Sequence, residues 1–254
     1  MSPGPPRGTV RVCALYPDLM NIYADRGNLL MLERRCAWRG IGFELISSGL
    51  GEQLDPDSGD LFYIGGGQDR DQRLCAQDLI ETKADALRTA AQRGAVVLGV
   101  CGGYQLLGRS YTLGDERIPG VGLLEVETVR AGDRLIGNVA IEVELPGGDE
   151  RGGATSRVLA GFENHGGRTR LAAGQRPLGR VLKGYGNDGA SGLEGAISGN
   201  TIGTYLHGPL LPKNAWFADW LIATARGRGT AELAALDDEL ELGAHLSARR
   251  AAGV

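Results

Sequence analysis

The stretch "AVVLGVCGGYQLLG", residues 95–108, decides how this chain is read. An apolar, β-prone run leads into a single cysteine, then a glycine pair, then a new helical pattern. A buried strand that turns into a helix within one residue lifts a side chain out of the sheet edge. Such an elbow strains the backbone of the residue at the bend and exposes its reactive atom. Gly99, Gly102 and Gly103 leave room for the bend and for a substrate to come close. The first N–H groups of the helix face the Cys101 sulfur, and that position is expected to lower the thiol pKa from about 8.5 towards neutrality. The N–H of Gly102 also stands where it would bind an oxyanion. A cysteine merely buried in a tight strand-to-helix turn would share the same spacing.

Strands and helices alternate on the N-terminal side of this elbow. Residues 9–16 read as a buried strand, "IGFELISS" as a second and "GDLFYIGGG" as a third. Leu29, Leu32 and Cys36 recur at helical spacing. Ile80, Ala84, Leu87 and Ala91 mark an amphipathic helix over residues 71–93. The alternation implies a mainly parallel sheet with helices on both faces. Beyond residue 121 short strand-like runs ("VGLLEVETV", "NVAIEVEL", "RVLKGYG", "GLEGAI") are parted by glycine-rich turns. They read as antiparallel additions to the same sheet. "NTIGTYLHGPLL" is one more buried strand. "NAWFADWLIATARG" is a helix with Asn214 as its N-cap and its tryptophans in the core.

Composition bounds the function. The 254 residues carry a net charge of −4, which gives nucleic-acid binding little support. Cysteines 13, 36, 75 and 101 are widely spaced and read as reduced thiols, and the three histidines lack zinc-ligand spacing. No run approaches the roughly 20 apolar residues of a membrane span, and "MSPGPPRG" is not a signal peptide, so a cytoplasmic protein is expected.

Two further segments complete a site. Gly65, Gly66 and Gly67 in "YIGGGQDR" offer backbone N–H groups to a tetrahedral intermediate, or form a simple turn. A base would come from His165, His207 or His245. His245 lies in a charged tail and reads as solvated, and His165 lies among turn residues. His207 ends a strand, on the edge where open α/β sheets bind ligands. It would take the thiol proton and pass it to a leaving amine.

"GVCGGYQLLG", "YIGGGQDR" and "GTYLHGPLL" resemble the nucleophile elbow, oxyanion strand and histidine segment of class I glutamine amidotransferases of the cobyric acid synthase (CobB/CobQ-like) type. "YPDLMNIYADRGN", "GGGQDRDQ", "GFENHGGRT" and "TYLHGPLLPKN" together resemble, within that group, the glutaminase subunits of lipid II isoglutaminyl synthases, the GatD type. The resemblance runs from about residue 10 to 225. It implies a flavodoxin-like α/β fold in an amidotransferase domain over residues 9–226, after a flexible lead (1–8) and before a helical tail (227–254). It implies that Cys101 attacks the glutamine side-chain amide to form a thioester and that His207 is base and acid. Gly66 and Gly102 would hold the oxyanion. An arginine in the family's R-L-x-G stretch, here Arg134 in "DRLIGN", would clamp the substrate α-carboxylate.

The position two after the histidine, an acid in most class I members, is Pro209 here. Glu163 or another acid would have to orient His207, or a partner would supply the carboxylate. The partner is favoured, because hydrolysis would then wait for assembly. The resemblance implies that partner to be a MurT-type Mur ligase subunit in a heterodimer. It would use ATP and magnesium to amidate lipid II with ammonia from L-glutamine, while this chain holds no cofactor or metal and inserts in no membrane. Corrinoid side-chain amidation, a catalytically silent regulatory subunit and a partner-free γ-glutamyl hydrolase are the competing readings.

Overall fold

The computed structural model describes residues 8–22, 25–145 and 155–254. Its first sheet has the order β11-β12-β4-β3-β1-β2. The strands are β1 (Thr9–Leu15), β2 (Gly42–Ser48), β3 (Leu61–Ile64), β4 (Val96–Val100), β11 (Ala196–Ser198) and β12 (Thr201–Thr204). All pairings are parallel except β11 with β12. β3, β4 and β12 are buried along their whole length, as strands covered on both faces must be. β1 leads to β2 at one edge, whereas β3 leads to β4 towards the other. Right-handed crossovers therefore put α1 (Arg26–Ala37) on one face, and α2 (Asp69–Asp78) and α3 (Ala84–Gln92) on the opposite one. The strand order reverses between β1 and β3, where open sheets leave a crevice at their carboxyl ends.

The elbow helix α4 (Gly102–Leu107) follows β4. Near the C-terminus come α5 (Leu210–Lys213), α6 (Ala215–Ala225) and α7 (Glu239–Ala252). α5 and α6 pack on α1, and α7 packs on α5. The α/β architecture agrees with the sequence expectation, but the second half of the chain departs from it. Apart from β11 and β12, its strands do not extend the first sheet. β5 (Ser110–Leu113), β6 (Glu116–Pro119), β7 (Val126–Leu145), β8 (Thr155–Leu171), β9 (Gly179–Lys183) and β10 (Leu193–Glu194) form a second sheet. The two runs expected as separate strands are one long strand, β7, whose register shifts between Arg130 and Leu135. Gly132, at φ +60°, takes the left-handed conformation inside that shift. "FENHGGR", read as turn residues, lies within β8, because β7 supplies a continuous antiparallel partner.

Several local expectations also change. The helix over 71–93 contains a π turn, Leu79–Lys83, between α2 and α3. That turn brings Lys83 inside against Asp78, which also accepts the Tyr16 hydroxyl at 2.7 Å. Asn214 does not cap α6 with its side chain; it donates to the Ala160 and Leu210 carbonyls and accepts the Ala160 N–H. Of the helix's tryptophans, Trp220 is buried and Trp216 packs partly buried against the core. The C-terminal segment is not helical throughout, and it is docked. Arg35 of α1 pairs with Asp219 and Asp238, and Asn138 Nδ2 donates to the Ala251 carbonyl at 3.0 Å. His245 is half-buried, not solvated, with Nδ1 2.9 Å from the Lys213 carbonyl. Residues 1–7 of the expected lead lie outside the described residues.

Candidate active site

Cys101 is the one residue between β4 and α4, at φ +54° and ψ −106°. For a residue with a Cβ this backbone costs about 1–3 kcal/mol. The turn is held on three sides. Cys101 N–H donates to the Thr204 carbonyl at 2.8 Å, Gly103 N–H to the Gly65 carbonyl at 3.0 Å, and Gln105 N–H to the Cys101 carbonyl at 3.2 Å. β12, β4 and β3 are neighbours in that order, so their carboxyl ends bring the His207 segment, Cys101 and the glycine strand to one sheet edge. A Cβ on Gly66 would stand 3.3 Å from the Cys101 Cβ and 2.9 Å from Ile22, so a glycine there permits the close approach.

The sulfur opens into a cleft of about 450 Å³ walled by Gln72, Gln105, Arg134, Asn164, His165 and neighbours from the segment after β3. Arg134 leaves the β7 register shift and leans over this cleft. Its guanidinium donates to the Asn164 side chain and carbonyl, each at 2.7 Å. A hydrogen-bonded chain backs the opposite wall: Gln72 donates to Gln105 at 2.7 Å and Gln105 to the Tyr205 hydroxyl at 3.1 Å. That hydroxyl lies 2.6 Å from the Thr169 hydroxyl.

His207 is buried three residues beyond β12. Its backbone pairs with Phe162 of β8 in both directions, at 2.9 and 3.0 Å. Burial, then His165, Lys213 and Arg134, lower its pKa to about 4, so the imidazole is neutral at pH 7. His165 shares the cleft wall, stacks on the Tyr205 ring at 3.6 Å and sits 2.9 Å from the Gly167 carbonyl through Nδ1. Glu163 faces His165, at 3.8 Å. Its carboxylate accepts the Tyr185 and Gly186 N–H groups at 2.6 and 2.9 Å. These contacts engage the acid considered from sequence as an orienter of His207.

Two electrostatic expectations are corrected. Burial, reinforced by the nearby Asp25, pushes the Cys101 thiol up to about 12, although the Gly102 N–H bonded to it and Arg134 act in the opposite direction. The short helix does not offset desolvation, so the thiol is protonated at rest. Gly66 does not offer its N–H to the cleft; it donates to Asp25 Oδ2 at 2.6 Å. Asp25 is buried, and burial lifts its pKa to about 7. The sequence carries no sign of this role for Asp25, because nothing local marks a carboxylate that meets a residue 41 positions away.

The cleft is thus lined by a thiol, an imidazole, side-chain amides and an arginine, and among the described residues no group of three or more His, Cys, Asp or Glu is placed to hold a metal ion. Comparison with known proteins agrees with this chemistry. The model of the CobB/CobQ-like glutamine amidotransferase domain matches residues 11–215. The GatD subunit of the glutamine-hydrolysing lipid II isoglutaminyl synthase of Staphylococcus aureus is 39% identical over 209 residues, 82% of this chain and 81% of that one. Its counterpart from Streptococcus pneumoniae is 38% identical over 85% of this chain and 80% of that one. A cobyric acid synthase of Pelotomaculum thermopropionicum is 40% identical over 79% of this chain but only 37% of its own length. Among solved structures, PurLQS from Thermotoga maritima shares the fold, with a TM-score of 0.56 at 20% identity over 94% of this chain and 98% of that one. With the family model covering the elbow, the glycine strand and the histidine segment, the chain belongs to the CobB/CobQ-like glutamine amidotransferase family.

Proposed function

We propose that this chain is the glutaminase subunit of a lipid II isoglutaminyl synthase, working in the cytoplasm beside a MurT-type Mur ligase. The observation that carries the reading is a strained cysteine at the carboxyl edge of the sheet, opening into a cleft that also holds Arg134. The similarity to GatD subunits over four-fifths of both chains supports the choice of pathway.

In this reading L-glutamine enters with its α-carboxylate on Arg134 and its side-chain amide at Cys101. Asp69 and Arg134 line the same cleft, which suits the zwitterionic end of an amino acid. Cys101 Sγ attacks the amide carbon and its proton passes to His207. The imidazolium then protonates the departing nitrogen, releasing ammonia and leaving a γ-glutamyl thioester. Water, deprotonated by the same imidazole, cleaves the thioester to glutamate, and the imidazolium returns its proton to the departing Cys101 sulfur. Gly102 N–H supplies one oxyanion donor. The carboxylate that orients His207 comes from the ligase, since Glu163 is committed to Tyr185, Gly186 and His165. Ammonia passes to the ligase, which holds ATP and magnesium and amidates the D-glutamate α-carboxylate of lipid II. This chain needs no cofactor of its own.

The test is co-purification with a Mur ligase, followed by amidation of lipid II with glutamine or with ammonium. Both nitrogen sources are expected to work in the wild-type complex, and only ammonium with Cys101→Ala. A wild-type complex that uses ammonium alone overturns the reading.

A further inference from the structure

The Gly65–Gly66 peptide sits between two anchors. Its carbonyl accepts the Gly103 N–H at 3.0 Å, from the elbow helix. Its N–H donates to buried Asp25 at 2.6 Å, a short, charge-assisted bond when that carboxyl is ionised. The next carbonyl, of Gly66, accepts the Ile22 N–H at 3.2 Å. Both bonds from Gly66 to its flank therefore end in one segment, the chain between β1 and α1. An oxyanion formed on Cys101 needs N–H groups aimed at it, and Gly66 is the glycine-strand residue lying against the Cys101 side chain. Its amide hydrogen is engaged by a carboxyl group. That group, when ionised, also repels negative charge developing next to Cys101.

We propose that Asp25 is a positioning residue of the glutaminase site: it withholds the Gly66 N–H from Cys101, and the oxyanion hole is completed when that hydrogen bond is exchanged for one to the substrate oxyanion. The inference rests on the assignment of Cys101 as nucleophile. The same segment also reaches the histidine side. Asn28 Nδ2 donates to the Tyr63 hydroxyl at 2.9 Å, and Asn28 Oδ1 accepts the N–H of Leu211, four positions after His207. Movement of residues 25–28, by a docked ligase or by bound glutamine, acts on the oxyanion strand and the histidine segment together.

The experiment measures glutamine hydrolysis by the full-length chain, alone and with its ligase, for wild type, Asp25→Ala and Asp25→Asn. An oxyanion donor is used in the transition state and not in the ground state, so its release raises kcat and leaves KM in place. Asp25→Ala in the isolated chain is expected to raise kcat at least ~10-fold, with KM within about threefold, narrowing its gap to the complex. Asp25→Asn keeps an acceptor of the same shape but forms a weaker, uncharged bond. Its kcat is expected to rise less, and it serves as the readout should the alanine variant fail to fold. Labelling of Cys101 by a glutamine-mimicking chloroketone, whose adduct forms through an oxyanion, is expected to speed up in step. An active wild type in which Asp25→Asn leaves kcat unchanged or lowered overturns the proposal alone and makes Asp25 a support of the loop. A wild-type complex with neither hydrolysis nor labelling at Cys101 overturns the nucleophile assignment, and the role of Asp25 with it.

Discussion

Cys101 and Thr204 are joined across the carboxyl ends of two adjacent parallel strands by a 2.8 Å bond from the Cys101 N–H to the Thr204 carbonyl. The bond ties the strained elbow to the strand that leads to His207. Thr204 is itself fixed, since its hydroxyl donates to buried Glu194, whose carboxyl also accepts the Tyr205 N–H at 2.6 Å. Placement of Cys101 against the segment that leads to His207 is thus a property of the β4–β12 pair and the acid beneath it.

The strain at residue 101 separates activity from stability. Cys101→Ala and Cys101→Gly are both expected to lose glutaminase activity by ~10⁴-fold or more. Glycine takes a φ of +54° freely, whereas alanine retains the penalty. The glycine variant is therefore expected to be about 1 kcal/mol more stable than the alanine variant, or roughly 2–4 °C in Tm for a chain of this size. Thermal denaturation of the pair checks this.

Two histidines are candidates for the base, and kinetics tell them apart. With His207 as base, His207→Asn lowers kcat by about 10²–10⁴-fold, and His165→Asn lowers it far less. The folded pKa of His207 is depressed to about 4, so its neutral, proton-accepting form persists well below pH 6.5. The acid limb of the kcat/KM profile is expected nearer pH 4 than 6.5. The reverse order of the two variants would move the base to His165.

Arg134 is read as a clamp on the α-carboxylate, which holds ground state and transition state alike. Arg134→Ala is expected to raise KM for glutamine by about 10–100-fold and to change kcat far less. Arg134→Lys recovers only part of the loss, because an ammonium cannot make the paired contacts of a guanidinium. Steady-state kinetics of the complex check both.

Glu194 gives the fold a pH dependence of known sign. Burial raises its pKa to about 8 in the folded chain, from 4.5 in the unfolded one. Its contribution to stability is complete below pH 4.5 and is lost as pH rises through 8, since burial favours the protonated carboxyl. Glu194→Gln does not titrate, so its Tm relative to wild type is expected to climb between pH 5 and pH 9.

Arg35 is fully buried and pairs with Asp219 of α6 and Asp238 just before α7, tying α1 to the C-terminal segment. Arg35→Met takes the cation from Asp238 while Asp219 keeps Arg39, at 2.8 Å, and is expected to cost about 1–3 kcal/mol. Asp238→Ala, at a half-exposed carboxylate, is expected to cost far less and to speed proteolysis within the last 20 residues or so.

The residues around 95–108 made the elbow with its cysteine and the parallel half of the fold legible, because local apolar runs, glycine pairs and helical spacing report directly on local backbone. The α7 segment and the 71–93 helix were legible as helix, but not the docking of one or the π turn in the other. The second sheet was not legible. "FENHGGR" becomes strand only because β7 lies alongside, and glycine-rich sequence carries no mark of a partner strand. Charge states were also beyond the sequence. The helix start argued for a low thiol pKa, and burial with Asp25 close by set it high. Which residue forms which element follows from neighbours along the chain. Which N–H is engaged, which carboxylate faces which imidazole and which thiol keeps its proton depend on groups far apart in sequence, since desolvation and hydrogen bonding act through space. The chain alone named Cys101 and His207, and only its folding brought Asp25 to Gly66.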